Sequence, residues 1–427
     1  MKKILVRGPA LTRSGYGEHT RFILRALRSR EDLFDVYLLP VNWGKTGWIY
    51  EDNEERRWLD SIINKTSLYG QENKLNCDIS MQVTIPNEWE SMAPINIGVT
   101  AGIETTRISP VWVEKGNFVD KIITISDFSK QSYEQTNYVV TDNDTGEVVN
   151  KSFRCTTPIQ VVHYPVRATE IKKFPLELTT KFNFLVNAQW SPRKNLENTI
   201  GWFIEEFIDN EEVGLVLKTN IVNNSLIDRI ETEKRVKNLT NRFPNKKCKV
   251  YLLHGDLSAS EVNSLYCNEN IKALVSLAHG EGFGLPIFEA AYNGLPVIAP
   301  DWSGHTDYLY KLTKNKKGKI RKRPFFAKVE YDLGPVQEEV VWKDVLVKDS
   351  MWCYPKKNSY KEKLREIYRD HGRFKSQASR LKTHLCEEFT AEQKYKQVVD
   401  IVQSVPTQNE KETEIDSMFD SLMASNA

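Results

Sequence analysis

Two stretches of the chain set charged residues beside loops that a ligand could approach. In His279-Gly280-Glu281-Gly282-Phe283-Gly284-Leu285-Pro286-Ile287-Phe288-Glu289-Ala290, three glycines and two carboxylates follow an expected strand and open an expected helix. Glycine lets a backbone come close to a ligand, and the amides at a helix N-terminus suit a phosphate. Glu281 falls in the loop and Glu289 about a turn and a half into the helix, with seven residues between them, so both can address one ligand from different sides. Carboxylates accept hydrogen bonds from sugar hydroxyls. The second stretch, Asn187-Ala188-Gln189-Trp190-Ser191-Pro192-Arg193-Lys194-Asn195, puts two cations at a helix start, where they can neutralise a diphosphate and the charge developing on it as a leaving group.

Four more loops sit at expected strand ends. Gly8 to Gly17 contains Gly15 and Gly17 ahead of a helix, and a tight turn explains them as well as a ligand does. Thr100 to Arg107 offers Glu104 to bind or orient an acceptor, with helix capping by Glu104 and Arg107 as the plain alternative. Lys218-Thr219 and His254-Gly255-Asp256-Leu257 end two later strands, and Asp256 or Ser258 could simply cap the next helix. His254, His279 and His305 belong to separate loops without metal-ligand spacing, so no metal is expected.

These loops need a scaffold, and the hydrophobic rhythm supplies one. Ile4–Val6, Val36–Val41, Ile79–Val83, Ile95–Val99 and Lys121–Ile125 read as strands, with helices over Glu18–Arg28, Glu54–Ile63 and Phe128–Gln135. A hairpin excursion covers 138–162 around Thr141 to Gly146. A second alternation runs from Phe184 to Ala299, with helices opening at Leu196, Leu226, Ser260 and Pro286, and the link falls between Val166 and Leu178. The implied architecture is α/β: two Rossmann-like, doubly wound domains, 1–170 and 178–385, facing a central cleft at the carboxyl ends of their strands. From 311 to 356 the pattern weakens. A helix over 386–404 is expected to cross back to the first domain, ahead of a mobile acidic tail at 405–427.

The second half resembles the retaining GT-B glycosyltransferases of the large family four, on the Glu, seven residues, Glu pattern of Glu281 and Glu289 and on the Arg193-Lys194-Asn195 run. The resemblance implies a GT-B fold and a nucleotide-diphosphate sugar as co-substrate. Glu289 would bind the ribose hydroxyls and Glu281 would lie by the donor sugar, with the Gly282, Phe283, Gly284 and Leu285 stretch holding sugar and diphosphate. Arg193 and Lys194 would form the phosphate clamp, although Ala188 stands where the family has glycine. Lys218, His254 and Leu257 would line the nucleotide pocket, and Gly15 and Gly17 would close on the phosphates. Relatives often carry His near Glu104, and this chain does not. No protein nucleophile is implied, which leaves stabilisation of the leaving group to Arg193 and Lys194.

Composition sets outer bounds. With 427 residues, 40% of them hydrophobic, and 59 basic against 57 acidic side chains, the chain is globular and close to neutral. Six scattered cysteines suggest reduced thiols, and the absence of a leader or membrane span suggests a cytoplasmic enzyme. The acceptor stays open, with a glycan or lipid-linked hydroxyl as the default. The basic run 314–323 could follow a nucleic-acid backbone or meet an anionic membrane, or be a solvated loop. Glu414 to Met423 resembles peptides that dock on sliding clamps. Together these fit an alternative, a viral-type DNA glycosyltransferase acting on hydroxymethylated bases; a further alternative is a non-catalytic nucleotide-sugar-binding protein.

Overall fold

The computed structural model describes residues 1–44, 46–73, 75–167, 169–172, 174–314 and 318–406. The centre of the basic run, 315–317, and the clamp-like segment of the tail lie outside the described residues. The first domain runs β1 (Lys2–Gly8), α1 (Gly15–Arg28), β2 (Phe34–Pro40), α2 (Glu54–Asn73), β3 (Ile79–Val83), β4 (Ile95–Thr100), α3 (Pro110–Phe118), β5 (Lys121–Thr124), α4 (Asp127–Gln135), β6 (Tyr138–Thr141), β7 (Val148–Phe153) and β8 (Ile159–Val161). Six parallel strands pair in the order β2-β1-β3-β4-β5-β8, and β6 and β7 form a separate antiparallel hairpin. Helices on both faces bury the sheet, which is why β3 and β4 are buried at every position. At Gly98 in β4 a Cβ would come within 2.5 Å of the Trp89 ring. Helix α1 opens with Ser14 accepting a hydrogen bond from the Gly17 amide, and its face of Phe22, Ile23, Ala26 and Leu27 is fully buried.

The second domain repeats the plan with β9 (Phe182–Asn187), α5 (Leu196–Glu206), β10 (Val213–Lys218), α6 (Leu226–Thr240), β11 (Lys249–Leu253), α7 (Ala259–Tyr266), β12 (Ile271–Val275), α8 (Leu285–Tyr292) and β13 (Val297–Pro300). Its sheet has the order β11-β10-β9-β12-β13-β16, and the sixth strand, β16 (Ala327–Val329), lies in the stretch where the sequence rhythm fades. The reason is the connection. Between β13 and β16 the chain makes an antiparallel hairpin, β14 (Tyr310–Lys314) and β15 (Ile320–Pro324), where an α/β unit ordinarily has a helix. A second hairpin follows, β17 (Tyr331–Pro335) with β18 (Met351–Pro355), and then α9 (Lys357–Arg369), α10 (His371–Glu388) and α11 (Ala391–Gln403).

The chain crosses between the domains twice. The single helix expected at 386–404 is broken at Phe389–Thr390, where Thr390 caps α11 by accepting from the Gln393 amide. Helix α11 packs on α1, with Val398 and Val402 fully buried, and Val405 is buried too, so the expected tail begins inside the core. At the crossing, the Val166 amide donates to the Phe389 carbonyl at 2.7 Å, pinning one passage to the other. The loop between β17 and β18 also reaches across. The Asp344 carbonyl accepts from Ser109 Oγ at 2.7 Å and Asn87 Nδ2 at 2.9 Å, and Arg107 pairs with Asp349.

Removing apolar volume from the α1–α11 seam should therefore weaken the first domain. Val402→Ala is expected to cost about 2 kcal/mol, read as a lower thermal unfolding midpoint. Lys396→Ala, on the exposed face of α11 and paired with Asp400, should change stability by less than about 0.5 kcal/mol.

Candidate active site

In an open parallel sheet the loops on either side of the point where strand order reverses diverge and leave a crevice. In the second domain that point lies between β9 and β12, and their following loops carry Arg193 and Lys194 on one side and Glu281 on the other. The cations occupy a short 3-10 turn, Pro192–Lys194, closed by Asn195 in the left-handed region at φ 54°. The two loops are fastened together: the His279 amide donates to the Arg193 carbonyl at 2.8 Å, and Asn195 Nδ2 to the Leu277 carbonyl at 3.2 Å. Lys194 Nζ then reaches Glu281 Oε1 at 2.5 Å, and Arg193 Nη1 reaches Glu281 Oε2 at 3.2 Å. Across the cleft Arg193 Nη2 lies 3.5 Å from Glu104 Oε1. Four of the expected site residues thus form one charged cluster spanning both domains.

Burial by itself would raise the Glu281 carboxyl, but Lys194 and Arg193 outweigh it and hold it down at about 2. Burial pulls the Lys194 ammonium below its usual value, against the opposing pull of Glu281. Ser303 adds a further support that the sequence does not signal, accepting from the Glu281 amide at 3.0 Å.

Glu289 lies farther along α8 in a different setting. Desolvation pushes its carboxyl up to about 7, although Tyr266 Oη donates to its Oε2 at 3.0 Å. Asn187 Nδ2 donates in turn to Tyr266 Oη at 2.8 Å, a link from the end of β9 that sequence reading missed because its partners are 79 residues apart. Between the two glutamates, α8 starts at Leu285 with Gly284 at φ 83°. Among the described residues none accepts a hydrogen bond from the amides of Gly282, Phe283, Gly284 or Leu285, so these donors face the crevice end of the helix uncommitted.

The glycines of this loop have a reason that was not legible in the sequence. A Cβ on Gly280 would fall 2.2 Å from the Glu104 carbonyl oxygen, and one on Gly282 would fall 2.2 Å from that of Ala101. Close approach is indeed what these positions need, but the approaching backbone is that of the first domain. The Phe283 side chain is buried among Tyr164, Phe288 and Tyr308, so only its backbone is available to a ligand.

The remaining expected residues surround this centre unevenly. Gly15 begins α1 in open space, whereas Gly17 packs against the Thr12 carbonyl, where a Cβ would be 2.2 Å away. Beside them Tyr16 Oη meets Thr100 Oγ1 at 2.9 Å and its ring packs on Trp43 at 4.4 Å, an aromatic pair at the carboxyl end of the first sheet that the sequence did not single out. Lys218 Nζ donates to the Gly255 carbonyl at 2.8 Å, and Arg13 of the first domain donates to the Leu257 carbonyl at 3.1 Å, closing this end of the cleft. His254 needs correction as a ligand-facing side chain. Its ring is 3% exposed and bonded at 2.8 Å to Asp228, which also accepts the amides of Ile221 and Val222. It braces the loop after β10. His279 and His305 are likewise committed, to the Cys353 and Pro300 carbonyls. Among the described residues no group of three His, Cys, Asp or Glu could hold a metal ion.

Gly282→Ala tests the contact between the domains. The added methyl has to displace the Ala101 backbone, so the expected result is a loss of about 1–3 kcal/mol and a larger radius of gyration in small-angle scattering as the halves separate.

No protein-family model matches the chain, and no curated protein matches it in sequence. Solved structures do match over nearly its whole length. HepE from Anabaena, in complex with UDP-glucose, aligns with a TM-score of 0.58 and 14% identity, covering 95% of this chain and all of that one. Sucrose-phosphate synthase from Thermosynechococcus elongatus gives 0.61 at 11% identity, covering 94% and 98%. The apo structure of OtsA gives 0.55 at 9%, covering 95% and 100%. With two six-stranded parallel sheets facing one another across a crevice lined by their carboxyl-end loops, the chain has the GT-B fold of these glycosyltransferases.

Proposed function

We propose that the protein is a retaining glycosyltransferase that moves a sugar from a nucleotide-diphosphate sugar to a hydroxyl acceptor. One observation carries this reading: two partly buried cations, Arg193 and Lys194, converge at the crevice beside the uncommitted amides that open α8. A diphosphate is the ligand that such a site neutralises best. As the bond to the sugar breaks, negative charge grows on the departing diphosphate, and cations fixed beforehand stabilise it without reorganising. Glu281 is fully engaged with both cations and serves to place them and to contact the donor sugar. Glu289 takes the ribose hydroxyls, and Glu104, at the facing edge of the first domain, orients the acceptor. UDP-glucose is the first donor to test, because it is bound in the HepE structure.

Thermal shift and slow donor hydrolysis with a panel of nucleotide sugars test the reading. One diphosphate sugar should stabilise the protein, and Lys194→Ala should reduce its hydrolysis at least tenfold. A protein indifferent to every nucleotide sugar would remove the transferase reading. The raised carboxyl of Glu289 adds a pH signature. To accept two ribose hydroxyls it must be ionised, so affinity falls as pH drops through about 7, and the nucleotide Kd at pH 6 should be about ten times that at pH 8. Titration calorimetry of Glu289→Gln should show weaker binding with that pH dependence gone.

A further inference from the structure

The β14–β15 hairpin lies outside the charged cluster of the crevice, and the charge its two strands carry is all of one sign. Lys311, Lys314, Arg321, Lys322 and Arg323 make no ion pair with any described residue, and no acidic side chain lies within Tyr310–Lys314 or Ile320–Pro324. The register pairs Lys311 with Arg323, Leu312 with Lys322, Thr313 with Arg321 and Lys314 with Ile320. Side chains alternate between faces, so Lys311, Arg321 and Arg323 line one face while Lys314 and Lys322 share the other with Leu312 and Ile320. Leu312 is 66% exposed and Ile320 55%.

Cations on both faces discriminate between polyanions. A planar anionic membrane is met by one basic or apolar face, and two aliphatic side chains provide little insertion. A ribbon that is basic on both faces fits a groove with phosphates along both walls. Two paired strands of five residues extend about 17 Å, and the B-DNA major groove, about 12 Å wide, admits a two-stranded ribbon. The deep, narrow major groove of A-form RNA does not. We infer that the β14–β15 ribbon is a duplex DNA-binding element, holding the phosphate backbone through Lys311, Lys314, Arg321, Lys322 and Arg323, with Leu312 and Ile320 available for apolar contact with base edges. The ribbon is rooted beside the crevice rim: Tyr310 Oη donates to Asp301 Oδ1 at 2.5 Å, and the adjoining Trp302 packs on Phe128 of the first domain at 4.8 Å.

Fluorescence anisotropy of the full chain with a labelled duplex of about 20 base pairs, from about 50 to 200 mM salt, tests this, since each neutralised phosphate contributes about −0.9 to the slope of log K against log salt. The expected slope is roughly −3 to −5. Arg321→Ala, Lys322→Ala and Arg323→Ala combined should weaken binding at low salt at least tenfold and flatten the slope by about 2 to 3. Donor hydrolysis and the circular dichroism spectrum should stay unchanged, which separates this inference from the transferase reading. The inference is overturned if wild type does not bind duplex DNA at low salt, if the triple variant binds as tightly, if an A-form RNA duplex binds equally well, or if anionic phospholipid vesicles are bound in preference to DNA.

Discussion

A carboxylate buried between two cations governs this molecule. Taking Glu281 out of water costs several kcal/mol, and the contacts with Lys194 at 2.5 Å and Arg193 at 3.2 Å offset it. The carboxylate therefore fixes both cations before any ligand arrives. Much of the surrounding structure serves that arrangement. The loop after β9 must turn back through the left-handed Asn195, the loop after β12 must be fastened to it by the His279 amide, and Ser303 must hold the Glu281 backbone. Through Glu104 the same cluster reaches the opposite domain, so the geometry of the site and the closure of the cleft are one problem.

Two carboxylates, one in the loop before α8 and one within that helix, follow opposite physics. Glu281 is held near 2 by its cations, while Glu289, with a tyrosine for a partner and desolvation against it, rises to about 7. One is a permanent charge that organises the site. The other is drawn toward neutrality by its burial, which the tyrosine hydroxyl only partly opposes.

The second sheet was legible because strand, loop and helix there follow one another within short windows, so the apolar period and the charged loop residues speak for the same element. Arg193, Lys194, Glu281 and Glu289 could be assigned to their loops and helix for that reason. What could not be read depends on distant partners. Gly280 and Gly282 look like ligand-facing glycines until the backbone of residues 101–104 is placed against them. His254 looks exposed at a strand end until Asp228 claims its ring. Strand β16 was hidden because its three residues arrive through a hairpin.

Having the chain cross between domains twice, with Val166 bonded to Phe389 at the crossing, gives the molecule a paired strap in place of a single tether. A lone linker allows swivelling about any axis. Two straps pinned side by side resist such twist. Such a constraint keeps the facing loops in one register, and with it the 3.5 Å approach of Arg193 to Glu104.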